Sequence, residues 1–212
     1  MKKLLHIIAT PRDEKSRTLK ISRAFLDEIR QKKHDLEIDT LDLFTANLPE
    51  ITELVTRGKY TLMSEGSFSD SIREAWDAVE NHIKRFLSAD ACLISTPMWN
   101  FSVPYRLKHY IDIIIQPKYL FKYTEEGVQG LAGDKKVVVI TSRGGDYGPD
   151  SPFHKYDFLE PYLKQVLGFV GIVDITFINA QPMDALGTEI MLEKIRTCKE
   201  KARKIAAEMT ED

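Results

Sequence analysis

Ala91-Cys92-Leu93-Ile94-Ser95-Thr96-Pro97-Met98-Trp99-Asn100-Phe101-Ser102-Val103-Pro104 is the stretch that decides the fold. Ala91 to Ser95 is a short apolar run, the pattern of a strand buried on both faces. Val103-Pro104 reads as a helix start, since proline is favoured in a first helical turn. Between strand and helix, one short loop gathers a thioether, an indole, an amide and a phenyl ring at Pro97-Met98-Trp99-Asn100-Phe101. Ligands of open α/β sheets bind just beyond the carboxyl ends of the strands. Rings and a thioether there would cover the face of a flat, partly polar aromatic ligand, with backbone groups reaching its edge.

The rest of the chain repeats the alternation. Leu4 to Ala9 is a candidate first strand, and Ser16 to Lys33 a helix with Leu19, Ser22, Leu26 and Ile29 on one face. Leu36 to Leu41 alternates apolar and polar residues, as a strand near a sheet edge does. A less regular helix is expected over Ile51 to Ser64. A stronger one covers Ser69 to Leu87, where Ile72, Trp76, Val79, Ile83 and Phe86 form one stripe. Ser67 or Ser71 is its expected cap, each having an acidic residue three positions on. A helix from about Pro104 to Ile115 follows the opening loop. Tyr119 to Gly130, rich in aromatics and glycine, reads as a hairpin within an excursion around 117–131. Lys136 to Thr141 is the fourth strand, Phe158 to Leu167 a helix, and Ile172 to Ile178 the fifth strand. A last helix runs from about Thr188 to Met209, striped by Met191, Ile195, Cys198, Ala202, Ile205 and Met209.

Short apolar strands separated by helices predict a doubly wound parallel sheet of five strands, covered by helices on both faces. The 212 residues fit one domain over 1–212 with a core of its own, and the excursion is too short for a second. A net charge of −2 gives no bulk attraction to nucleic acid or an anionic membrane, so neither is an expected partner. No apolar run is long enough to span a bilayer. The N-terminal run lacks a small-residue cleavage site, and two cysteines make no disulfide framework, which points to a cytoplasmic protein.

Three loops at strand ends carry the chemistry. The first, Thr10 to Thr18, leads into a helix N-terminus and brings hydroxyls at Thr10, Ser16 and Thr18 and a cation at Arg17. Free N–H groups, the helix dipole and hydroxyl donors favour a phosphate, although Ser16 alone also reads as a plain N-cap. The loop matches neither a P-loop nor a dinucleotide fingerprint. The second is the opening loop, whose aromatics alone would equally suit a core. The third, Thr141-Ser142-Arg143-Gly144-Gly145, lets backbone N–H groups approach a ligand edge with no side chain between. A parallel sheet sets these loops side by side. Together they offer a phosphate site, an aromatic wall and N–H donors for a polar edge, and FMN has those three parts. The flavodoxin-like sheet, ordered 2-1-3-4-5, holds its ligand between strands one and three.

With these residues in view, the chain resembles the FMN-dependent NADH-azoreductase and NADH:quinone oxidoreductase family. Three segments carry the resemblance: Thr10-Pro11-Arg12 with Ser16-Arg17-Thr18, Pro97 to Phe101 with Val103-Pro104 and Leu107-Lys108, and Ser142-Arg143-Gly144-Gly145. Phe121-Lys122-Tyr123-Thr124, Glu160-Pro161-Tyr162-Leu163 and Leu167-Gly168-Phe169 add to it. The resemblance implies that Thr10, Ser16, Arg17 and Thr18 hold the FMN phosphate. It implies that Pro97, Met98, Trp99, Asn100 and Phe101 pack on the isoalloxazine, and that Ser142, Arg143, Gly144 and Gly145 meet its pyrimidine edge. It further implies a homodimer whose substrate pocket is lined by aromatics, with Phe121, Phe158 and Tyr147 as candidates. The implied reaction takes a hydride from NADH and reduces quinones or aromatic azo compounds, ping-pong, through one flavin site. The flavin carries that chemistry, so no catalytic side chain is assigned. No His-Glu-x-x-His or Cys-x-x-Cys is present, and no metal is expected. The scattered histidines read as structural or solvated, with His154 and Tyr147 the candidates for proton delivery. Trp99 stands where the family usually has tyrosine, Gln181 where it has an acid, and Pro182-Met183-Asp184-Ala185 is unlike it. The competing readings are a flavodoxin-type electron carrier and a flavodoxin-like regulatory domain without flavin. A charge near zero and the aromatic excursion disfavour the first, and uptake of FMN separates the second.

Overall fold

The computed structural model of the protein describes residues 1–211; Asp212, the end of the expected domain, lies outside the described residues. In chain order the elements are β1 (Lys3–Ile8), α1 (Arg17–Lys32), β2 (Glu37–Asp42), α2 (Glu53–Met63), α3 (Asp70–Leu87), β3 (Ala91–Pro97) and α4 (Tyr105–Ile114). They continue with β4 (Phe121–Thr124), β5 (Gly127–Gly130), β6 (Lys136–Ser142), α5 (Leu159–Phe169), β7 (Ile175–Ala180) and α6 (Thr188–Glu211). The main sheet is parallel, ordered β2-β1-β3-β6-β7, while β4 and β5 pair antiparallel as a separate hairpin. Counted within the sheet, this is the flavodoxin-like order 2-1-3-4-5.

Alternation along the strands sorts the core into two layers. Leu5 and Ile7 of β1, Cys92 and Ile94 of β3, and Val137 and Val139 of β6 pack with α3, α4 and α5. Leu4, Leu93, Val138, Ile140 and Ile178 face the other way, against Ile21, Phe25 and Ile29 of α1 and Ile195 and Ala202 of α6. Both faces are covered, which is why the strands read as near-continuous apolar runs. The α3 stripe of Ile72, Trp76, Val79, Ile83 and Phe86 is buried throughout. Each such side chain contributes about 1.5–3 kcal/mol relative to exposure. Cys92 is buried and Cys198 partly so, both free, and burial pushes the Cys92 thiol up to about 12.

Two local expectations are corrected. Ser69, not Ser67 or Ser71, holds the N-cap position of α3, and its hydroxyl meets Ser71 Oγ at 3.2 Å rather than a helix N–H. Strand β7 starts at Ile175 rather than Ile172. The reason is the end of α5: Gly171 takes φ +94°, and Ile172 N donates to Leu167 O at 3.0 Å. A left-handed glycine followed by a bond back to the last turn is a helix C-cap, and buried Ile172 anchors it.

Candidate functional site

The loops after β1, β3 and β6 converge because those strands are sheet neighbours. Ala9 N donates to Ser95 O at 2.8 Å and Met98 N to Ser142 O at 2.9 Å, which extends the strand pairing into the loops. The three loops enclose one cleft, at the switch point between β1 and β3 where the winding of the sheet reverses. Of the residues singled out in the sequence, Thr10, Ser16, Arg17, Pro97, Met98, Trp99, Ser142, Arg143 and Gly144 line it. Arg12, Met183 and Asp184 line it as well.

One end of the cleft is polar. Ser16 is the N-cap of α1, its Oγ accepting from Leu19 N at 3.3 Å. That leaves its own O–H free to donate. The first-turn N–H groups of α1 have no partner within the helix, and the helix dipole adds positive potential there. Thr18, fully buried, does not line the cleft directly; its Oγ1 lies 2.7 Å from Ser142 Oγ. Beneath it, Ser22 Oγ donates to Thr18 O at 3.0 Å and sits 2.7 Å from Ser95 Oγ, which in turn meets His6 Nε2 at 2.8 Å. Burial, with Arg30 nearby, lowers the His6 pKa to about 4, so His6 is the neutral inner end of this hydrogen-bonded chain.

Another wall is made by Met98 and Trp99; Asn100 and Phe101, next in the same loop, do not line the cleft. Trp99 N donates to Ser102 O at 2.9 Å and Ser102 N to Trp99 O at 3.0 Å, closing a two-residue turn. Its central residues Asn100 and Phe101 have φ +46° and +70°. Asparagine tolerates this left-handed backbone; a phenylalanine there is strained by about 1–3 kcal/mol. The turn leaves Trp99 and Phe101 partly exposed, Trp99 edge-on to Phe44 at 5.8 Å and Phe101 5.8 Å from Tyr156 and 6.3 Å from Tyr147. Phe158 N donates to Phe101 O at 3.0 Å, which places its exposed ring beside the same loop.

The glycine loop is held from behind. The Arg143 side chain is fully buried, its Nη1 2.6 Å from Asp157 Oδ2 and its Nη2 3.1 Å from Asn179 Oδ1. Glu160 stands 3.5 Å from Arg143. Burial pulls the Glu160 pKa up, but Lys164, Asn179 and Arg143 outweigh it and hold the carboxyl below its usual range. The guanidinium is therefore committed to the protein, as are the carbonyls of Ser142, Arg143 and Gly144, and what the loop offers a ligand in the cleft is the N–H of Gly144. Gly144 O accepts from Asp184 N at 3.0 Å and from Met183 N at 3.1 Å, which pins the turn after β7 against the glycine loop.

Other candidates lie elsewhere. Gly145 belongs to a neighbouring hollow with Phe153 and Leu186. Tyr147 and His154 face a third, where His154 Nδ1 is 3.0 Å from Tyr147 O. Phe121 is buried in the hairpin against Phe169, ring centroids 4.8 Å apart, and does not line the cleft. Asp184 had no role in the sequence reading, and its Oδ1 lies 2.6 Å from Arg17 Nη1. The unusual Pro182 to Ala185 segment was its signal, but only the fold shows that an acid faces the cleft.

The donor set fits a phosphorylated aromatic ligand: hydroxyls, an arginine and a helix N-terminus at one end, a thioether and indole along one wall, and a glycine with no side chain at the edge. Fold and cleft thus define a doubly wound α/β protein with a site for such a ligand at its switch point. A family model described as the flavodoxin-like fold matches residues 2–206. An FMN-dependent NADH:quinone oxidoreductase of Nitratidesulfovibrio vulgaris is 36% identical over 208 residues, 98% of this chain and 100% of that protein. A crystal structure of azoreductase from Bacillus anthracis superposes with a TM-score of 0.90 at 27% identity, covering 98% of this chain and 100% of the other. An FMN-dependent NADH-azoreductase of the same species, solved in complex with FMN, gives 0.85 at 27% identity over 97% and 100%. The chain belongs to the flavodoxin-like fold family and, within it, to the family of FMN-dependent NADH:quinone oxidoreductases.

Proposed function

We propose that this protein is an FMN-dependent oxidoreductase that takes a hydride from NADH and reduces quinones and aromatic azo compounds. The observation that carries the reading is the convergence of three strand-end loops on one cleft, which brings Ser16 and Arg17 together with Met98, Trp99 and Gly144. Bound FMN would supply the two-electron chemistry. The protein supplies position and field. Thr10, Ser16, Arg17 and the N-terminus of α1 would hold the phosphate, and Thr18 would support Ser142 from below. Met98, Trp99 and the strained Asn100-Phe101 turn would hold the ring and exclude water from one face. The backbone N–H of Gly144 would stabilise negative charge at the pyrimidine edge. Exposed Phe101 and Phe158, joined through the Phe158 N–Phe101 O bond, would offer a shelf on which flat acceptors stack.

One shelf used first by NADH and then by the acceptor gives a ping-pong scheme. The active species is a homodimer of single FMN-binding domains in the cytoplasm. Reconstitution with FMN, followed by NADH and NADPH oxidation with a benzoquinone and an azo dye, tests the reading. Parallel double-reciprocal plots for both acceptors are expected. A protein that takes up no flavin, or a flavoprotein that oxidises neither nucleotide, would overturn it.

A further inference from the structure

Asp184 is out of place in a cleft suited to an anion. Its carboxylate is held there, because the turn that carries it is tied by Met183 N to Arg143 O at 2.9 Å and by Asp184 N to Gly144 O at 3.0 Å. It faces Arg17, with Nη1 and Oδ1 2.6 Å apart, across the two walls of the cleft. The Arg17 side chain is 24% exposed, against 64% for Asp184. Arg17 is therefore the confined partner and Asp184 the one with access to water.

We propose that Asp184 is an affinity-setting residue that competes with the phosphate of the ligand for Arg17, so that binding exchanges one anion for the other. This rests on the FMN reading given above. A phosphate dianion entering beside Ser16 needs the arginine and meets a fixed carboxylate next to it. Arg17 starts at the first position of α1 and is already confined, so it gains little from being positioned by Asp184. Turning to the phosphate costs Arg17 its contact with Asp184, so that ion pair is subtracted from the affinity for a phosphorylated ligand. Asp184 thus weakens phosphorylated flavins specifically and leaves riboflavin alone. The exchange also makes retention of the cofactor sensitive to ionic strength, since both partners reach solvent.

The test is flavin fluorescence quenching on the flavin-free protein, with FMN and riboflavin each titrated. Asp184→Asn is expected to tighten FMN by about twofold to fivefold, the range of a largely exposed ion pair, with riboflavin unchanged. Salt that shortens the Debye length to about 3 Å should remove most of the gain. Placed on Arg17→Gln, the same substitution should give a much smaller gain. Weaker FMN binding in Asp184→Asn would overturn the proposal, because Asp184 would then be positioning Arg17. Equal changes for FMN and riboflavin, or a full gain without Arg17, would overturn it too. A wild-type protein that binds neither flavin would instead sink the FMN reading itself.

Discussion

Thr18 Oγ1 and Ser142 Oγ lie 2.7 Å apart, joining the first turn of α1 to the end of β6 across the floor of the cleft. Neither residue is near the other in sequence, and neither strand nor helix requires the contact. It closes a chain that runs inward through the Thr18 carbonyl to Ser22, Ser95 and His6.

Thr18→Val removes one hydroxyl and keeps the shape. Ser142 is only partly buried and can turn to water, so the loss is that of a single neutral hydrogen bond, about 1 kcal/mol. The urea midpoint should fall accordingly. An unchanged midpoint would mean that the contact contributes nothing to the fold.

The fold was legible where burial writes itself into residue type. Val137-Val138-Val139-Ile140 has no polar face because α1 and α6 cover one side of it and the other core layer covers the second. Trp76 and its stripe show the helix period for the same reason. The cleft was legible in part: hydroxyls before a helix and rings after a strand are local patterns. Asp184 was not, since an exposed acid in an irregular turn carries no periodicity, and its contact with Arg17 spans most of the chain. The left-handed backbone at Phe101 was equally hidden, because residue preference argues for glycine there. The pairing of Arg143 with Asp157 depends on how α5 docks, which no spacing encodes.

That pair is the most consequential single contact behind the site. Both side chains are almost fully enclosed, at 1% and 4% exposure, and without Asp157 the dry guanidinium keeps only Glu160, at 3.5 Å, as a counter-charge. Asp157 Oδ1 also accepts from Leu159 N at 3.0 Å and Glu160 N at 3.1 Å, capping α5. Asp157→Ala is expected to cost roughly 3–5 kcal/mol, and Asp157→Asn less, since the amide oxygen keeps the cap. Denaturant unfolding of both variants checks the order. A loss below about 1 kcal/mol for alanine would remove the pair from the list of structural anchors.

Two glycines separate steric need from mere tolerance. A Cβ at Gly130 would fall 2.2 Å from Gly171 N and from Val170 C, both backbone atoms that cannot step aside. Gly130→Ala should therefore destabilise by about 1–3 kcal/mol or more, by forcing the hairpin off the end of α5. Gly168 lies within α5 and its Cβ would meet nothing within 4 Å. Gly168→Ala should instead stabilise by about 0.5–1 kcal/mol, through helix propensity and a less free unfolded chain. Thermal melts of the two variants shifting in opposite directions is the expected result.

His6 makes stability depend on pH. Its pKa is about 4 in the folded protein against an ordinary 6.5, chiefly because burial disfavours the imidazolium. The unfolded chain thus binds the extra proton first as pH falls. The stabilising contribution of neutral His6 is fully present above pH 6.5 and is lost progressively down to about pH 4, for a total of about 3 kcal/mol. Below that the folded state takes up the proton as well, and the loss levels off. His6→Gln cannot titrate, yet its amide can still bond Ser95. Urea unfolding of wild type and variant between pH 7 and pH 4 should therefore give curves that converge on acidification, the wild type falling more steeply. Parallel curves would show that His6 is solvated or charged in the folded protein, and the inner end of the polar chain beneath Thr18 would have to be redrawn.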